Sequence, residues 1–469
     1  MIGNWASERE KEDQLNINWK GFYMHVFSLI IPMALQNLIN VGVTATDVLM
    51  LGRVGEKVLS GSSLAGQIQF VMTLFLFGIN SGATVLNAQY WGKKDTRSIE
   101  KIMGLAMSAA VTAGIIFTIA AEVCPVQLLR IFTNDKVVIA EGAKYLRIVA
   151  LSYILMCITQ IYLNTMRSIE RVLIATVVYA ISLLTNIVLN AVLIFGLFGF
   201  PELGIKGAAI ATLVSRILEL LIVIWYAKNR NKVVHFHVRD MIKVDKILFK
   251  DFLTYAVPVI INELLWGLGT STNAAIIGHL GSAAVAANSV AQVARQLALV
   301  VCFGVSNATA IYLGKTIGEK QYELAKAYGR KFLKLSILTG LAGGCMILIA
   351  SPIAVRFMTL SAEAQGYMKF MFFVMSYFSL CMSINTTLIV GVLRSGGDTK
   401  YGLVVDLGGM WCFSIIFGAI AAFKFHASVQ IVYVILMSDE VIKIPMSVSR
   451  FFSYKWIKNL TRDNSETIN

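Results

Sequence analysis

The stretch IPMALQNLINVGVTATDVLMLGRVG, residues 31–55, is long and apolar enough to cross a bilayer, and it carries one acidic residue, Asp47, in its second half. A spanning helix needs about 20 predominantly apolar residues. A charged side chain inside such a segment is costly and is by default a candidate for function. This stretch therefore predicts a helical membrane protein and offers the first candidate residue.

The composition of the whole chain agrees with that class. Its 469 residues are 57% hydrophobic and 14% charged, and the mean hydropathy is +0.70. Polar residues this scarce cannot cover a water-soluble globule of this size, so we expect lipid to be the main solvent. Twelve spanning segments are predicted, centred near residues 36, 74, 112, 153, 186, 217, 265, 298, 342, 378, 411 and 438.

A second copy of the quoted stretch, VPVIINELLWGLGTSTNAAIIGHLG, lies at residues 257–281 and pairs Pro258 with Pro32. The same offset also pairs Gly52 with Gly278, Gly55 with Gly281, Gly78 with Gly304, Gly92 with Gly318 and Gly114 with Gly340. Each half then holds six helices, and an even number of crossings makes the repeats parallel. We predict an all-α integral membrane protein with twelve transmembrane helices. They form two parallel six-helix bundles related by a pseudo-two-fold axis along the membrane normal.

Basic residues indicate the orientation. Most of the 41 Lys and Arg residues fall in the loops on the side of both termini, so we expect both termini to be cytoplasmic and the protein to lie in the cell membrane. The basic residues behind the net charge of +14 lie in the loops between membrane segments and do not collect in one domain, so no nucleic-acid partner is expected. The predicted organisation is a cytoplasmic segment 1–21, a bundle 22–227, a basic cytoplasmic linker 228–250, a bundle 251–450 and a cytoplasmic tail 451–469.

No resident cofactor is predicted. His235 and His237 form an HxH pair in the linker that could bind a metal, but the sequence shows no third ligand, so a solvated or headgroup-facing loop is favoured. The six cysteines are scattered without CxxC spacing and are interpreted as structural thiols.

Ionisable residues inside the predicted spanning helices are few. They are Asp47, Arg216, Glu219, Glu263, Arg295, Asp406, Asp439, Glu440 and Lys443. Two pairs, Arg216 with Glu219 and Glu440 with Lys443, are three residues apart, so each pair can neutralise itself on one helix face. Asp406 lies near the start of its segment and could be merely interfacial.

Asp47 and Glu263 differ because no basic residue lies three or four positions from either of them. The repeat pairs Asp47 with Asn273 and Glu263 with Asn37, so each half has one acid and one amide on its first helix. Burial disfavours the charged form of a carboxylate, which can then hold a proton or attract a cation. We predict an ion-coupling site at Asp47 and a second polar site formed by Glu263, Asn273 and Asn37.

Proline inside a helix removes a backbone hydrogen bond and permits a bend. Pro32 precedes Asp47 by about four helical turns. We predict that Pro32 is a hinge at which the helix bends when Asp47 gains or loses its ion. A static kink at the entry of the helix is the alternative.

With these residues the chain resembles the multidrug and toxic compound extrusion family. The first-helix pattern at 31–55 matches in its proline, its aspartate and its closing LGxxG. Further matches are AQYWGKKD at 88–95, NIVLNAVLIFG at 186–196, GIKGAAIAT at 204–212 and LRSGGDTK at 393–400.

The resemblance implies a monomer whose two bundles form a V around a central cavity. It also implies multidrug efflux of small amphipathic cations in exchange for sodium ions or protons. In that family the residue matching Asp47 acts with groups matching Asn186, Asn190 and Thr212. Several members carry a second aspartate at the position of Asn190. Its absence weakens a two-acid proton relay but keeps oxygen ligands suited to sodium, so the coupling ion stays open.

Two other functions compete with this one. A flippase or exporter of a lipid-linked or other endogenous metabolite could use the same general fold, but such proteins usually place several basic residues in the cavity. An enzyme is not expected, because the sequence has no HExxH and no GxSxG motif. Neither reading identifies the substrate.

Overall fold

A computed structural model of the chain describes residues 17–242, 245–357 and 361–462, and within these ranges the chain is helical and has no strand. Most of the predicted N-terminal segment 1–21 lies outside the described residues, as does the end of the predicted tail, 463–469. The helical membrane class expected from the composition is confirmed.

The described residues of the first half of the chain form eight α-helices. The axes of α5 and α6 meet at an angle of 48°, and the two helices are long and apolar enough for a membrane span only when taken together. The helices are α1 Trp19–Val54, α2 Glu56–Gly92, α3 Thr96–Val123, α4 Pro125–Arg130, α5 Lys136–Ala150, α6 Ser152–Ser168, α7 Leu173–Phe195 and α8 Ile205–Asn229.

The second half begins with a short helix inside the predicted linker, and two of its helices are widened by π-helical turns. The helices are α9 Val238–Ile242, α10 Lys246–His279, α11 Ser282–Gly318, α12 Tyr322–Phe357, α13 Ala362–Thr386, α14 Thr399–Leu407, α15 Ile416–Phe423, α16 Val429–Met437 and α17 Asp439–Phe452. The π-helical turns are Thr387–Leu393, which extends α13, and Gly408–Ile415, which joins α14 to α15.

Length and apolarity identify ten candidate spans among the described residues, and eleven when α5 and α6 count as one bent span. The segment predicted near residue 438 is divided there into α16 and α17, because Asp439 and Glu440 interrupt its apolar run. Each of those two pieces is too short to cross a bilayer by itself.

The helices form two compact units. The first contains the residues up to Ala34, Ala88–Lys94 and the residues from Leu268 on; the second contains Leu35–Asn87 and Asp95–Gly267. Three helices, α1, α2 and α10, therefore contribute to both units. In α1 the boundary between the two units follows Ala34, two residues after Pro32.

The glycine pair Gly78 and Gly304 marks equivalent helix crossings in the two units. In the second unit a Cβ on Gly78 would lie 2.6 Å from the Cα of Ile260 in α10; in the first unit a Cβ on Gly304 would lie 3.1 Å from the carbonyl oxygen of Ile30 in α1. Small residues let helix backbones approach closely inside a membrane. The repeat therefore preserved glycine at both crossings.

A second glycine pair closes the contact between the C-terminal ends of α2 and α11, within the first unit. A Cβ on Gly92 would lie 2.1 Å from the Lys315 carbonyl oxygen, and a Cβ on Gly318 would lie 2.0 Å from that of Gln89. No side chain larger than hydrogen fits at either position. Each glycine of this pair therefore lies against the backbone of the other helix.

Candidate functional site

The candidate coupling residues lie on three helices of the second unit. Asp47 is seven residues before the end of α1, Asn186 and Asn190 are one turn apart on α7, and Thr212 lies seven residues into α8. The i, i+4 spacing puts both asparagines on one face of α7. Both are buried, with 2% and 0% of their surface exposed.

The side-chain amide of Asn190 holds this group together. Its Nδ2 donates to Asp47 Oδ1 at 2.5 Å and to Asn186 Oδ1 at 3.0 Å. Tyr145 of α5 lies within electrostatic range of Asp47 and beside Thr212, so Thr212 stands at the edge of the same group. The structure therefore brings together the four residues that the resemblance selected. We call them the Asp47 cluster.

Two oxygen atoms of the Asp47 cluster are buried and accept no hydrogen bond from the described residues: Asn190 Oδ1 and Thr212 Oγ1. A buried polar atom without a partner costs about 1 to 3 kcal/mol. Asn190 Oδ1 belongs to the amide that contacts the Asp47 carboxylate, whereas Thr212 lies beside Tyr145, so the oxygens of the group suit an electropositive ligand. Carboxylate, amide and hydroxyl oxygens together could hold a sodium ion.

A buried ion pair lies on α8, on the side of Thr212 away from the start of the helix. Arg216 Nη1 contacts both oxygens of Glu219, at 2.8 and 2.9 Å, which confirms the same-helix pair predicted from their spacing. Only 2% of the Glu219 surface is exposed. Arg216 also lies within electrostatic range of Asp47, which the sequence did not indicate.

The residues of the predicted second polar site are placed separately. Asn37 Nδ2 and Asn273 Oδ1 are buried without a hydrogen-bond partner among the described residues, and Glu263 is half-buried on α10. Ten residues of α-helix rise about 15 Å, so Glu263 and Asn273 occupy different levels of α10 and do not ligate one ion together. A functional role for these residues stays a prediction.

Sequence reasoning missed a larger buried cluster in the first unit. Lys443 is 2% exposed, and its Nζ lies 2.8 Å from Asp439, 3.3 Å from Asp406 and 3.5 Å from Glu440. The pair of Glu440 and Lys443 was predicted. The i, i+4 spacing of Asp439 and Lys443 was available as a signal, whereas Asp406 comes from a different helix. We call these four residues the Lys443 cluster.

The predicted linker is anchored on α3, within the second unit. Arg97 donates to both oxygens of Asp240 at 2.7 Å, and Lys101 Nζ lies 3.0 Å from Asp245 Oδ2. Burial would raise the pKa of the Asp245 carboxyl, but hydrogen bonds from Lys101 and from the backbone N–H of Leu248 hold that pKa below its ordinary value. Asp240 and Asp245 thus attach the linker to α3 on either side of residues 243–244.

The HxH pair of the linker finds acidic neighbours there. His237 Nδ1 lies 3.7 Å from Glu100 Oε2 and 3.8 Å from Asp240 Oδ2, and these three residues could together offer ligands to a metal ion. The third ligand, absent from the linker sequence, comes from α3. Arg97 already contacts both carboxylates and offsets one of their two negative charges.

Comparison with known proteins gives a consistent result. The family model MatE matches residues 32–192 and 258–420, so its two matches begin at the repeat prolines. The chain is 24% identical over 387 residues to the probable multidrug resistance protein YoeA of Bacillus subtilis, covering 81% of this chain and 83% of that protein. It is also 24% identical over 442 residues to the probable multidrug resistance protein NorM of Thermotoga maritima, covering 93% and 94%.

Among solved structures, a MOP superfamily transporter from Pyrococcus furiosus superimposes with a TM-score of 0.83 at 18% identity, over 92% of this chain and 96% of that one. A similarity at this level of identity concerns the fold. It confirms the predicted class, a twelve-helix membrane protein.

Proposed function

The chain belongs to the MatE family, and from this premise we propose that it is a multidrug efflux transporter that exports small amphipathic cations in exchange for sodium ions. The family match covers both halves of the chain. The names of the relatives from Bacillus subtilis and Thermotoga maritima support drug efflux. The proposal for the coupling ion rests on the Asp47 cluster.

The observation that carries the proposal is the combination of a carboxylate with two unsatisfied buried oxygens. Glu219 is paired with Arg216, whereas Asp47 accepts its hydrogen bond from a neutral amide and makes no ion pair among the described residues. A monovalent cation bound at Asp47 would give this carboxylate a positive partner.

Sodium fits this cluster better than a proton. A sodium ion takes several oxygen ligands, and the cluster offers a carboxylate, an amide oxygen and a hydroxyl, the last two without a hydrogen-bond partner among the described residues. A proton on Asp47 can be donated to only one of them. The asparagine at position 190 also removes the second carboxylate of a proton relay. Proton coupling is the alternative outcome of the experiment.

A bend of α1 at Pro32 could couple ion binding to cargo binding. Because α1 contributes to both units and changes unit two residues after Pro32, a bend there would alter the packing of both. Ion and cargo could then compete without touching, as long as each prefers a different shape of α1.

We further propose that the protein is a monomer in the cell membrane with both termini in the cytoplasm. The concentration of basic residues in the loops on the side of the termini supports this orientation. Its predicted partners are the transported small molecule and membrane lipids.

Purified protein in liposomes, loaded with a fluorescent quaternary-ammonium dye, tests the function. A sodium gradient alone should drive dye movement, a proton gradient alone should not, and Asp47→Asn should abolish the response. Asp135→Asn, an exposed acid at the start of α5, is the matched control and should transport normally. Dye movement under the proton gradient alone would show that the coupling ion is the proton and not sodium. Failure of both gradients, together with movement of a lipid-linked anion, would favour the flippase.

A further inference from the structure

Arg216 is a half-buried cation inside a membrane helix, and it has no role yet in the proposed exchange of sodium for drug. It lies on α8 one turn beyond Thr212, so both side chains project from the same face of the helix. An arginine inside a membrane helix is costly unless it is paired. Its pairing with Glu219 offsets that cost, yet it also places a permanent positive charge within range of Asp47.

The geometry of the pair leaves donors available. Both hydrogen bonds that the structure gives to the Arg216 guanidinium use Nη1, and both go to Glu219. A guanidinium has five N–H donors in a rigid fork. It can therefore keep one contact with Glu219 while another nitrogen turns toward a second acceptor.

Charged and titratable groups surround Arg216 from several helices. Glu219 lies on its own helix, Asp47 on α1, Tyr145 on α5 and Tyr179 on α7. The Tyr179 hydroxyl donates to Gln160 Oε1 at 3.0 Å, so it is already engaged. Arg167 of α6 lies within range of Tyr179 and adds a second positive charge beyond it. The two carboxylates are thus the strongest acceptors around Arg216.

We propose that Arg216 is a tethered counter-cation that competes with the coupling ion for Asp47, and that Glu219 holds it aside while the ion is bound. The inference rests on the proposed coupling at Asp47. When the ion leaves, Asp47 would be a half-buried carboxylate inside a membrane helix without a cation, which is unfavourable. The guanidinium then bridges Glu219 and Asp47. Arg216 is a positioning residue in this scheme, since it acts through Asp47 and does not touch the cargo.

Because of this competition, substitutions of Glu219 and of Arg216 should change the affinity for the ion in opposite directions. Glu219→Gln removes the carboxylate that restrains Arg216, so the guanidinium occupies Asp47 more often and the ion binds more weakly. Arg216→Gln removes the competitor, so the ion binds more tightly. We expect shifts of about tenfold each way, the size that a unit charge moved by a few ångströms produces in a partly buried site.

The test is equilibrium binding of radioactive sodium to the purified full-length protein in detergent, which requires no transport. The sodium dissociation constant should rise about tenfold in Glu219→Gln and fall about tenfold in Arg216→Gln. The pair Glu323 and Lys326 has the same i, i+3 spacing at the surface, so Glu323→Gln and Lys326→Gln are the matched controls and should bind as the wild type does. If Arg216→Gln does not fold, Arg216→Lys replaces it. Because a lysine is a flexible point charge without the fork, this variant should bind sodium more tightly than the wild type but by less than tenfold.

The outcomes separate the inference from the proposed function. A wild-type protein that binds sodium, with an Asp47→Asn variant that does not, supports the site at Asp47. If the variants of Arg216 and Glu219 then shift affinity in the same direction, or only lower the melting temperature, the role of Arg216 is purely structural and the inference is wrong.

If the wild type binds no sodium, the sodium proposal fails first, and the readout becomes the pH midpoint of proton release by the same proteins. A positive charge near Asp47 disfavours its protonated form, so Glu219→Gln should lower that midpoint and Arg216→Gln should raise it. Shifts in one direction, or none, would overturn the inference for protons as well.

Discussion

The two units each bury a charged cluster, and the clusters differ in where their cation comes from. In the Lys443 cluster the positive charge is a side chain, and its ammonium contacts three carboxylates within 3.5 Å. In the Asp47 cluster the carboxylate contacts an amide, and Asn190 Oδ1 and Thr212 Oγ1 accept nothing from the described residues. The first cluster has an ammonium in direct contact with each of its carboxylates; in the second, no cationic side chain among the described residues contacts the carboxylate.

The surroundings of the clusters support this difference. Asn385 of α13 donates to both the backbone carbonyl and Oε2 of Glu440, at 2.6 and 2.9 Å, and accepts from Ser447 at 3.0 Å. Glu440 thus has a further layer of hydrogen bonds, whereas Asn190 Oδ1 and Thr212 Oγ1 have no partner among the described residues. A satisfied polar network rigidifies a protein, and an unpaired buried oxygen is costly unless a ligand contacts it. We therefore expect the Lys443 cluster to stabilise the fold and the Asp47 cluster to couple transport.

The largest effect is expected on the stability of the protein, to which the two clusters should contribute very differently. Lys443→Met leaves one buried and two half-buried carboxylates without their cation and should lower the free energy of unfolding by about 3 to 5 kcal/mol. Asp47→Asn should change that free energy far less, because Asn190 can still hydrogen-bond to an amide. Thermal unfolding in detergent measures both, with the surface variant Lys144→Met as control. Equal destabilisation by Lys443→Met and Asp47→Asn would contradict the contrast between the clusters.

The second prediction concerns the ion. Asn190→Asp places a second carboxylate against Asp47, and two carboxylates in contact cannot both stay ionised, so the pair should retain a proton. The ratio of proton-driven to sodium-driven dye transport should rise about tenfold. Asn385→Asp, which adds an acid beside Glu440 in the Lys443 cluster, is the control and should leave the ratio unchanged. An unchanged ratio in Asn190→Asp would argue against ion binding at this cluster.

A smaller effect is expected from the hinge. Pro32→Ala restores a backbone donor and should straighten α1, so ion-driven release should fall several-fold while drug affinity stays nearly constant. Both quantities are measured on the same purified variant. Pro352→Ala, inside α12, is the control for a proline in another membrane helix. Equal losses of affinity and release, or none, would remove the hinge from the mechanism.

The smallest effect is expected at Glu263, because it lies at a different level of α10 from its predicted partner Asn273. Glu263→Gln should change drug affinity or the ion concentration for half-maximal transport by about two- to threefold, with the exposed Glu363→Gln as control. Unchanged kinetics and pH dependence would leave Glu263 a structural residue.

The amino-acid sequence alone determined the features that depend on composition and local spacing. Apolar run length predicted the membrane helices, and the repeat offset located Pro32 and Pro258, where both family matches begin. The i, i+3 spacing predicted that Arg216 pairs with Glu219, because residues three apart on a helix are always neighbours. The cluster around Asp47 was selected from the sequence through the family resemblance.

Only the tertiary structure decided which groups from different helices meet. Asp406 reaches Lys443, Glu100 reaches His237, and Arg216 comes within range of Asp47 because of how the helices rotate and slide against each other. Spacing along one helix carries no information on that rotation. The same is true of the two unsatisfied oxygens, since a buried atom lacks a partner only by virtue of everything packed around it. These contacts decide that Asp406 lies against an ammonium, whereas Asp47 lies against a neutral amide.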